Sequence, residues 1–212
     1  MKYKKINGKY HVIKNGDVIF LCNSLLKAMN FIKKTVNYNG GTKMKYTTEQ
    51  LEERLKSEDW KKRLAVAEQG YKLDILINDK HWWVRRAVAE QGYGLDILIN
   101  DEDRNVRKAV ANQGYGLAKL IDDKDCEVRS AVAYQDYKLD ILINDEHWAV
   151  REAVAKQGYG LDVLINDKNK WVRIAVAQHG YGLNVLVNDE DWQVLEAVEE
   201  IERTLKWEIE RF

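Results

Sequence analysis

A 22-residue unit repeats six times without insertion or deletion, and this repeat constrains the fold more than any other feature of the chain. The fullest copy of the unit spans residues 83–101 and reads Trp-Val-Arg-Arg-Ala-Val-Ala-Glu-Gln-Gly-Tyr-Gly-Leu-Asp-Ile-Leu-Ile-Asn-Asp. A fixed period in this range is typical of solenoids, in which each unit buries its apolar face against its neighbours. The repeat therefore predicts an elongated array that offers a long surface to other molecules.

The first half of each unit has the pattern of an amphipathic helix. Val84, Ala87, Val88 and Gln91 lie at i, i+3, i+4 and i+7, which places them on one stripe of a helix. Gly92 follows, and a glycine there accepts the left-handed conformation that ends many helices. We expect the tyrosine after each glycine to pack back onto the last turn.

The second half of each unit is a short apolar run, Leu-Asp-Ile-Leu-Ile in residues 95–99. Taken alone, this run fits either a short helix or a strand of the kind found in leucine-rich horseshoes. In the third unit Lys119 replaces the central apolar residue, so only positions i, i+3 and i+4 stay apolar. A half-buried strand would keep i, i+2 and i+4 instead, and the run is therefore predicted to form a short α or 3₁₀ helix.

Several residue types recur at a fixed place in every unit. An aspartate is expected to cap the next long helix, and an arginine is expected to pair with acids of its own or an adjacent unit. Two alanines allow neighbouring helices to approach closely, and a glutamine is expected to donate hydrogen bonds to loop backbone. The aspartates are Asp79, Asp101, Asp123, Asp145, Asp167 and Asp189, and the arginines are Arg63, Arg85, Arg107, Arg129, Arg151 and Arg173.

The repeats need covers at both ends, because the outermost apolar faces have no neighbouring unit. We assign residues 47–58 to an N-terminal cap helix that begins near Thr48, residues 59–190 to the array, and residues 191–212 to a C-terminal capping helix. The C-terminal helix carries an apolar stripe that includes Val198, Ile201, Leu205 and Ile209. The expected fold class is mainly α, with an α-solenoid as its main part.

The frame Val-Arg-x-Ala-Val-Ala, followed by a helix breaker and Leu-x-x-Leu-Ile-x-Asp, resembles the leucine-rich repeat variant (LRV), a short relative of HEAT-like repeats. This resemblance covers roughly residues 59–190 and implies a right-handed superhelix of alternating α and 3₁₀ helices. The usual Asn-Pro of that family is Gln-Gly here. The founding member also carries a cysteine-ligated iron–sulfur cluster, but Cys22 and Cys126 cannot supply its ligands, so no cofactor is expected.

The first 46 residues differ from the array in charge and pattern. They hold ten lysines and one acid, a net charge of +9, whereas residues 47–212 have a net charge of −9. Residues 1–36 are predicted to form a three-stranded meander with a helix that begins at Ser24, since Asn-Gly pairs separate the β-rich segments. Residues 37–46 are expected to form a linker. The pattern is similar to the three-strand-plus-helix (AP2-like) arm domains of phage integrases, which read DNA with their sheet.

Two groups of side chains are candidates for binding. At the start of the long helices, some units have tryptophan where others have arginine or lysine, which predicts a surface position. Tryptophan and arginine also contribute most to binding energy at interfaces. This group is Trp82, Trp83, Arg104, Trp148, Lys170, Trp171 and Trp192. The second group could neutralise phosphates or meet an acidic protein, and consists of Lys2, Lys4, Lys5, Lys9, Lys14, Lys33 and Lys34.

The sequence contains no motif for an enzyme, a metal centre or a membrane span. It has no phosphate-binding Gly-Lys loop, no HExxH and no apolar run near the length of a membrane helix. His81 and His147 lie three units apart, too far to share a metal. The N-terminus has no secretory pattern, so we expect a cytoplasmic protein with neither a membrane nor a small molecule as partner.

These features lead to one main hypothesis and three alternatives. The main hypothesis is a non-enzymatic interaction scaffold or inhibitor that binds another protein or protein complex, with the basic module as a second contact. One alternative is binding of DNA or RNA through residues 1–46. The others are a phage or mobile-element inhibitor of a host defence complex, and a HEAT-like enzyme acting on DNA bases, which the acidic array disfavours.

Overall fold

The computed structural model of the protein describes residues 2–6, 9–14, 17–22 and 45–210. These residues contain three strands and fourteen helices, so the prediction of a mainly α-helical chain is confirmed. The chain divides into two compact parts, Met1–Glu52 and Glu53–Phe212, each of which is described by itself.

The first part contains a three-stranded antiparallel sheet in the order β1-β2-β3. The strands are β1 (Lys2–Ile6), β2 (Lys9–Lys14) and β3 (Asp17–Cys22). Lys4 lies opposite His11, and Val12 lies opposite Phe20, after which the register of β2 and β3 shifts. The helix predicted to begin at Ser24 and most of the predicted linker lie outside the described residues.

Long and short helices alternate along the second part. Helix α1 (Thr48–Leu55) precedes them and begins with a capping box, since the Thr47 amide donates to Gln50 Oε1 and the Gln50 amide donates to Thr47 Oγ1. The long helices are α2 (Trp60–Glu68), α4 (Trp82–Glu90), α6 (Arg104–Asn112), α8 (Cys126–Ala133), α10 (Trp148–Lys156), α12 (Lys170–Gln178) and α14 (Trp192–Glu210). The short helices are α3 (Leu73–Leu76), α5 (Leu95–Leu98), α7 (Leu117–Leu120), α9 (Leu139–Leu142), α11 (Leu161–Leu164) and α13 (Leu183–Leu186). The short apolar runs therefore form helices, as predicted.

Each long helix from α2 to α12 begins at a side-chain cap. In α4 to α12 this cap lies two residues after the recurring aspartate, and in α2 it lies at the equivalent position. Asp103, for example, accepts a hydrogen bond from the amide of Asn105. The caps are Asp59, His81, Asp103, Asp125, His147 and Asn169. The prediction that the recurring aspartates cap these helices is therefore wrong. Instead, Asp101 accepts from the amide of Asp103 and shapes the loop that presents the cap.

The long helices end at residues in the left-handed conformation, as predicted. Gly92 has a φ of 77°, and its amide and the next one donate to Ala89 and Val88, two bonds that close the last turn. Asp136 takes the same conformation where the fourth unit has no glycine. A second left-handed residue, such as Gly94, begins each short helix.

The core of the second part lies between consecutive long helices, each of which contacts the next from α2 to α14. Val84, Val88 and Ala89 are fully buried, so the small alanine lies in this core. In the short helices only the last residue is deeply buried, Leu98 in α5 for example, while Ile97 beside it is exposed. The sequence position that Lys119 occupies in the third unit is thus a surface position.

Candidate functional site

A buried arginine in each unit fixes the loops from which the long helices begin. Arg85 donates from Nε and Nη2 to the two carboxylate oxygens of Asp101, at 2.7 and 2.9 Å, and from Nη1 to the carbonyl of Asp79 at 2.8 Å. The predicted pairing with acids is confirmed. The equivalent pairs are Arg63–Asp79, Arg107–Asp123, Arg129–Asp145, Arg151–Asp167 and Arg173–Asp189. These clamps make the beginnings of the long helices a fixed support for whatever side chains they carry.

The clamps also change the acidity of their carboxyl groups. Burial alone would raise the pKa of Asp79, Asp123 and Asp167, but hydrogen bonds from arginine and from a loop amide, with the arginine charge, hold the pKa of each below its ordinary value. The hydrogen bond from Arg173 is the main cause that lowers the pKa of Asp189. These carboxylates are therefore ionised parts of the scaffold.

Aromatic side chains line the beginnings of several long helices, and we call this group the aromatic ridge. It consists of Trp60, His81, Trp82, Trp83, His147, Trp148, Trp171 and Trp192. The ring of His81 lies parallel to that of Trp60, with centroids 4.3 Å apart and an angle of 6° between the planes. Trp82 and Trp83 stack at 4.7 Å, and Trp60 and Trp83 lie 6.2 Å apart. Four rings from two consecutive units thus form one continuous cluster.

The two histidines of the ridge also cap helices. The amide of Trp83 donates to Nδ1 of His81 at 3.3 Å, and the amide of Ala149 donates to Nδ1 of His147 at 3.2 Å. Each ring therefore accepts at Nδ1, which requires that this nitrogen carry no proton. His147 also stacks on Trp148 at 5.7 Å, so the capping and stacking roles occur together in both units.

The rings differ in how far they reach into solvent. Trp83 is 38% exposed, Trp171 41% and Trp192 66%, whereas Trp60, Trp82 and Trp148 are half-buried. The guanidinium of Arg86 lies 5.0 Å from the ring centre of Trp83 and flanks the cluster. The predicted surface position is therefore observed for Trp83, Trp171 and Trp192 and only in part for the others, and Trp83 is the open edge of the four-ring cluster.

The two cations predicted to belong to this surface have ion-pair partners in the next unit. Arg104 lies 3.3 Å from a carboxylate oxygen of Asp125, and Lys170 lies 3.1 Å from one of Asp191. Their charges are therefore partly satisfied within the array, and they separate the aromatic ridge into segments. The contact between the rings of His81 and Trp60 was not predictable from the sequence, because only the fold brings the two rings together.

The basic residues of the leader fall on the strands and beyond them. Lys2, Lys4 and Lys5 belong to β1, Lys9 and Lys14 belong to β2, and Lys33 and Lys34 lie outside the described residues. Only the backbone of the strands is described, so the prediction of a phosphate-binding surface stays a prediction.

A second exposed group was not predicted as a site. The third residue of each short helix is exposed to solvent, by 51–59% where it is apolar. Its apolar members are Ile75, Ile97, Ile141, Val163 and Val185. Lys119 occupies the same place in the third unit, and this one polar substitution is the sequence signal that could have identified the column as exposed.

Other kinds of site find no support in the part of the chain that the structure describes. No cluster of three histidine, cysteine or acidic side chains there could hold a metal ion. No helix among these residues is long and apolar enough to cross a membrane. The chain was compared with models of protein families and with curated proteins, and neither comparison gave a match.

Proposed function

We propose that the protein is a non-enzymatic interaction scaffold or inhibitor that binds another protein through the aromatic ridge. In this proposal the array is a right-handed superhelix of the LRV and HEAT-like kind. The observation that carries it is the four-ring cluster of Trp60, His81, Trp82 and Trp83, stacked across two units with its outer ring exposed.

The geometry supports this role for two reasons. The rings stand on helix starts that the arginine–aspartate clamps hold in place, so little conformational entropy is lost when a partner covers them. Tryptophan and arginine are also the residues that most often dominate interface energy, and Arg86 flanks the exposed face of Trp83. Both features favour a partner that covers these rings with apolar surface.

The test removes the exposed rings and leaves the half-buried ones in place. Trp83→Ala and Trp171→Ala are each expected to weaken capture of the partner from native lysate by about tenfold or more. The midpoint of thermal unfolding should fall only modestly, because both rings lie at the surface and outside the fully buried positions between the long helices. Capture is measured by quantitative mass spectrometry after nuclease treatment, which removes bridging through nucleic acid.

Tyr93→Ala is the matched control, because Tyr93 is 43% exposed but belongs to the end of a long helix. A partner that is lost equally with Tyr93→Ala and with Trp83→Ala would contradict the assignment to the aromatic ridge. Equal loss of folding and capture in Trp83→Ala would make the ring a structural element.

A second candidate function is nucleic-acid binding by the N-terminal part. It is favoured by the composition of β1, in which three of the five residues are lysine, and by the net charge of +9 in residues 1–46. Such binding would weaken steeply with added salt, because lysines that neutralise phosphates release counterions. Gel-shift assays with duplex and single-stranded DNA and with RNA over a series of salt concentrations test this, and an undetectable or salt-independent shift would exclude it.

A further inference from the structure

The last helix of the array lacks the turn that separates the two helices of every other unit. In the sixth unit, Gly180 and Gly182 take left-handed conformations, with φ of 69° and 62°. One repeat later the same places hold Glu202 and Thr204, both inside α14. Since these residues favour continued helix over left-handed backbone, α14 runs on where a short helix would begin.

This continuation of α14, which we call the run-on, leaves the apolar edge of α13 uncovered. Within the array, Ile77, Ile99, Ile121 and Ile165 are only 5–9% exposed. The first of these packs against Gly94 of the next unit so closely that an added Cβ there would lie 2.1 Å from Ile77 Cδ1. Val187 holds the equivalent place in the sixth unit and is 49% exposed.

A second exposed apolar side chain lies on α14. Leu205 is 44% exposed, on the part of α14 that the run-on creates. A cleft between α13 and α14 is lined by Leu183, Glu199, Glu202, Arg203, Leu205 and Lys206. Exposed apolar groups next to polar ones in a cleft are typical of interaction surfaces. Leu205 was expected to cover the array, and nearly half of its surface is open to solvent.

We propose that this end of the array is an interface between two copies of the chain, related by a two-fold axis. The charges of the cleft favour this occupant, because the acids Glu199 and Glu202 precede the bases Arg203 and Lys206. Antiparallel α14 helices would bring Glu199 of one copy to Lys206 of the other, and parallel helices would bring like charges together. A two-fold interface uses the same surface on both copies, as this self-complementary pattern requires.

The charges are available for such pairing. Among the described residues, Glu199, Glu202 and Lys206 form no ion pair in the structure. Glu199 and Lys206 are seven residues apart, roughly 10 Å along a helix, too far to neutralise each other in one copy. The proposal concerns a different surface from the aromatic ridge and does not depend on the proposed function.

The test is sedimentation equilibrium of the full chain over about a hundredfold range of concentration. The wild type is expected to form a reversible dimer. Val187→Lys and Leu205→Ala are each expected to weaken it by about tenfold or more, because both remove exposed apolar surface at this end of the array. Circular dichroism and thermal unfolding establish that the variants fold. A wild type that stays monomeric throughout would overturn the proposal.

Further variants distinguish this interface from nonspecific association. Val163→Lys changes an equally open valine, 59% exposed in the middle of the array, and should leave the dimer constant unchanged. Glu199→Lys and Lys206→Glu should each weaken the dimer, and the double variant should restore it. Equal weakening by Val163→Lys, or a double variant no tighter than the single ones, would overturn the assignment to this surface.

Discussion

Each buried arginine holds two consecutive loops together, because its guanidinium reaches a carbonyl before its helix and a carboxylate after it. Arg107 joins the carbonyl of Asp101 to the carboxylate of Asp123 in this way. The repeat predicted that the arginines pair with acids, but each unit offers several. The choice depends on the loop that brings a residue sixteen positions later back to the helix, and loop geometry is not visible in the residue pattern.

Removal of one clamp carboxylate leaves a buried guanidinium without its counter-ion. Asp123→Ala is therefore expected to lower the free energy of unfolding by about 3–5 kcal/mol. The measurement is urea denaturation followed by circular dichroism. The neighbouring Asp122 is exposed, and Asp122→Ala should change stability by no more than about 0.5 kcal/mol. Similar losses in the two variants would contradict a specific role for the clamp.

The clamps also predict how stability depends on pH. The folded-state pKa of Asp79, Asp123, Asp167 and Asp189 lies below the ordinary value of about 3.9. Near that pH the unfolded chain binds more protons than the folded chain. The contribution of the clamps is thus complete above the unfolded pKa and is lost as the pH falls through the folded pKa.

We expect the free energy of unfolding to fall steeply below about pH 4. Urea denaturation at constant ionic strength measures this, and Asp123→Asn should reduce the steepness, since one linked group is then absent. An equally steep fall in that variant would show that other groups govern the acid limb.

The identity of the helix caps could not be read from the sequence for a related reason. Aspartate is a favoured helix cap, so the aspartates that recur in every unit were predicted to be the caps. The observed caps lie two residues later and vary among Asp, Asn and His. His81 is an uncommon cap, and only its position in the fold shows that Nδ1 faces the amide of Trp83. The surface position of the tryptophans was predictable, because arginine and lysine replace them in other units.

At the scale of helices, a single substitution predicted the short helices correctly. Lys119 showed which positions of the short run stay apolar, and the four-residue helices have Leu98 and its equivalents buried and Ile97 and its equivalents exposed. The left-handed residue that begins each short helix constrains the backbone more tightly than the apolar pattern does. Each unit has two left-handed positions, and a comparison of the two tests this constraint.

Gly94 and Gly92 both have positive φ, but only Gly94 has a close neighbour. An added Cβ at Gly94 would lie 2.1 Å from Ile77 Cδ1, whereas at Gly92 it would meet nothing within 4 Å. Gly92→Ala should therefore cost about 1–2 kcal/mol from backbone strain alone. Gly94→Ala should cost about 1–3 kcal/mol more, because Ile77 must move in a packed core. Urea denaturation of both variants checks this, and equal losses would show that Ile77 relaxes freely.

The sign of the charge alternates along the loops with twice the period of the repeat, so no single unit of the sequence predicts it. Successive units hold Glu58, Lys80, Glu102, Lys124, Glu146, Lys168 and Glu190 at one position. Lys80 Nζ lies 2.7 Å from a carboxylate oxygen of Glu58, and both side chains are well exposed. Glu102 and Glu146 of the same column instead lie near the clamp arginines Arg85 and Arg129. Exposed pairs of this kind contribute little to stability, and we interpret the alternation as a support for the register of stacking.

At the scale of the whole chain, the period of the repeat predicted a linear series of helices, and the contacts agree with it. Within the second part, each long helix contacts the long helices before and after it and the adjacent short helices, and no more distant helix. The course of α14 was also predictable, because Glu202 and Thr204 replace the turn glycines. The exposure of Val187 was not, because a capping helix was expected to cover the last apolar edge.

Nearest-neighbour contacts predict that the array unfolds in steps that depend on where it is weakened. In such arrays stability is close to a sum of unit and interface terms, and end units are the least protected. Amide hydrogen exchange should therefore be slowest in α6, α8 and α10 and faster towards both ends.

Asp189→Ala, at the last clamp, should speed exchange in α12 and α14 and leave α4 unchanged. Asp123→Ala, in the middle, should speed exchange on both sides of α7. Mass spectrometry of peptic peptides gives the rate for each helix, and equal acceleration of all helices by Asp189→Ala would mean that the array unfolds as one cooperative body, in which the interfaces are stronger than the units they join.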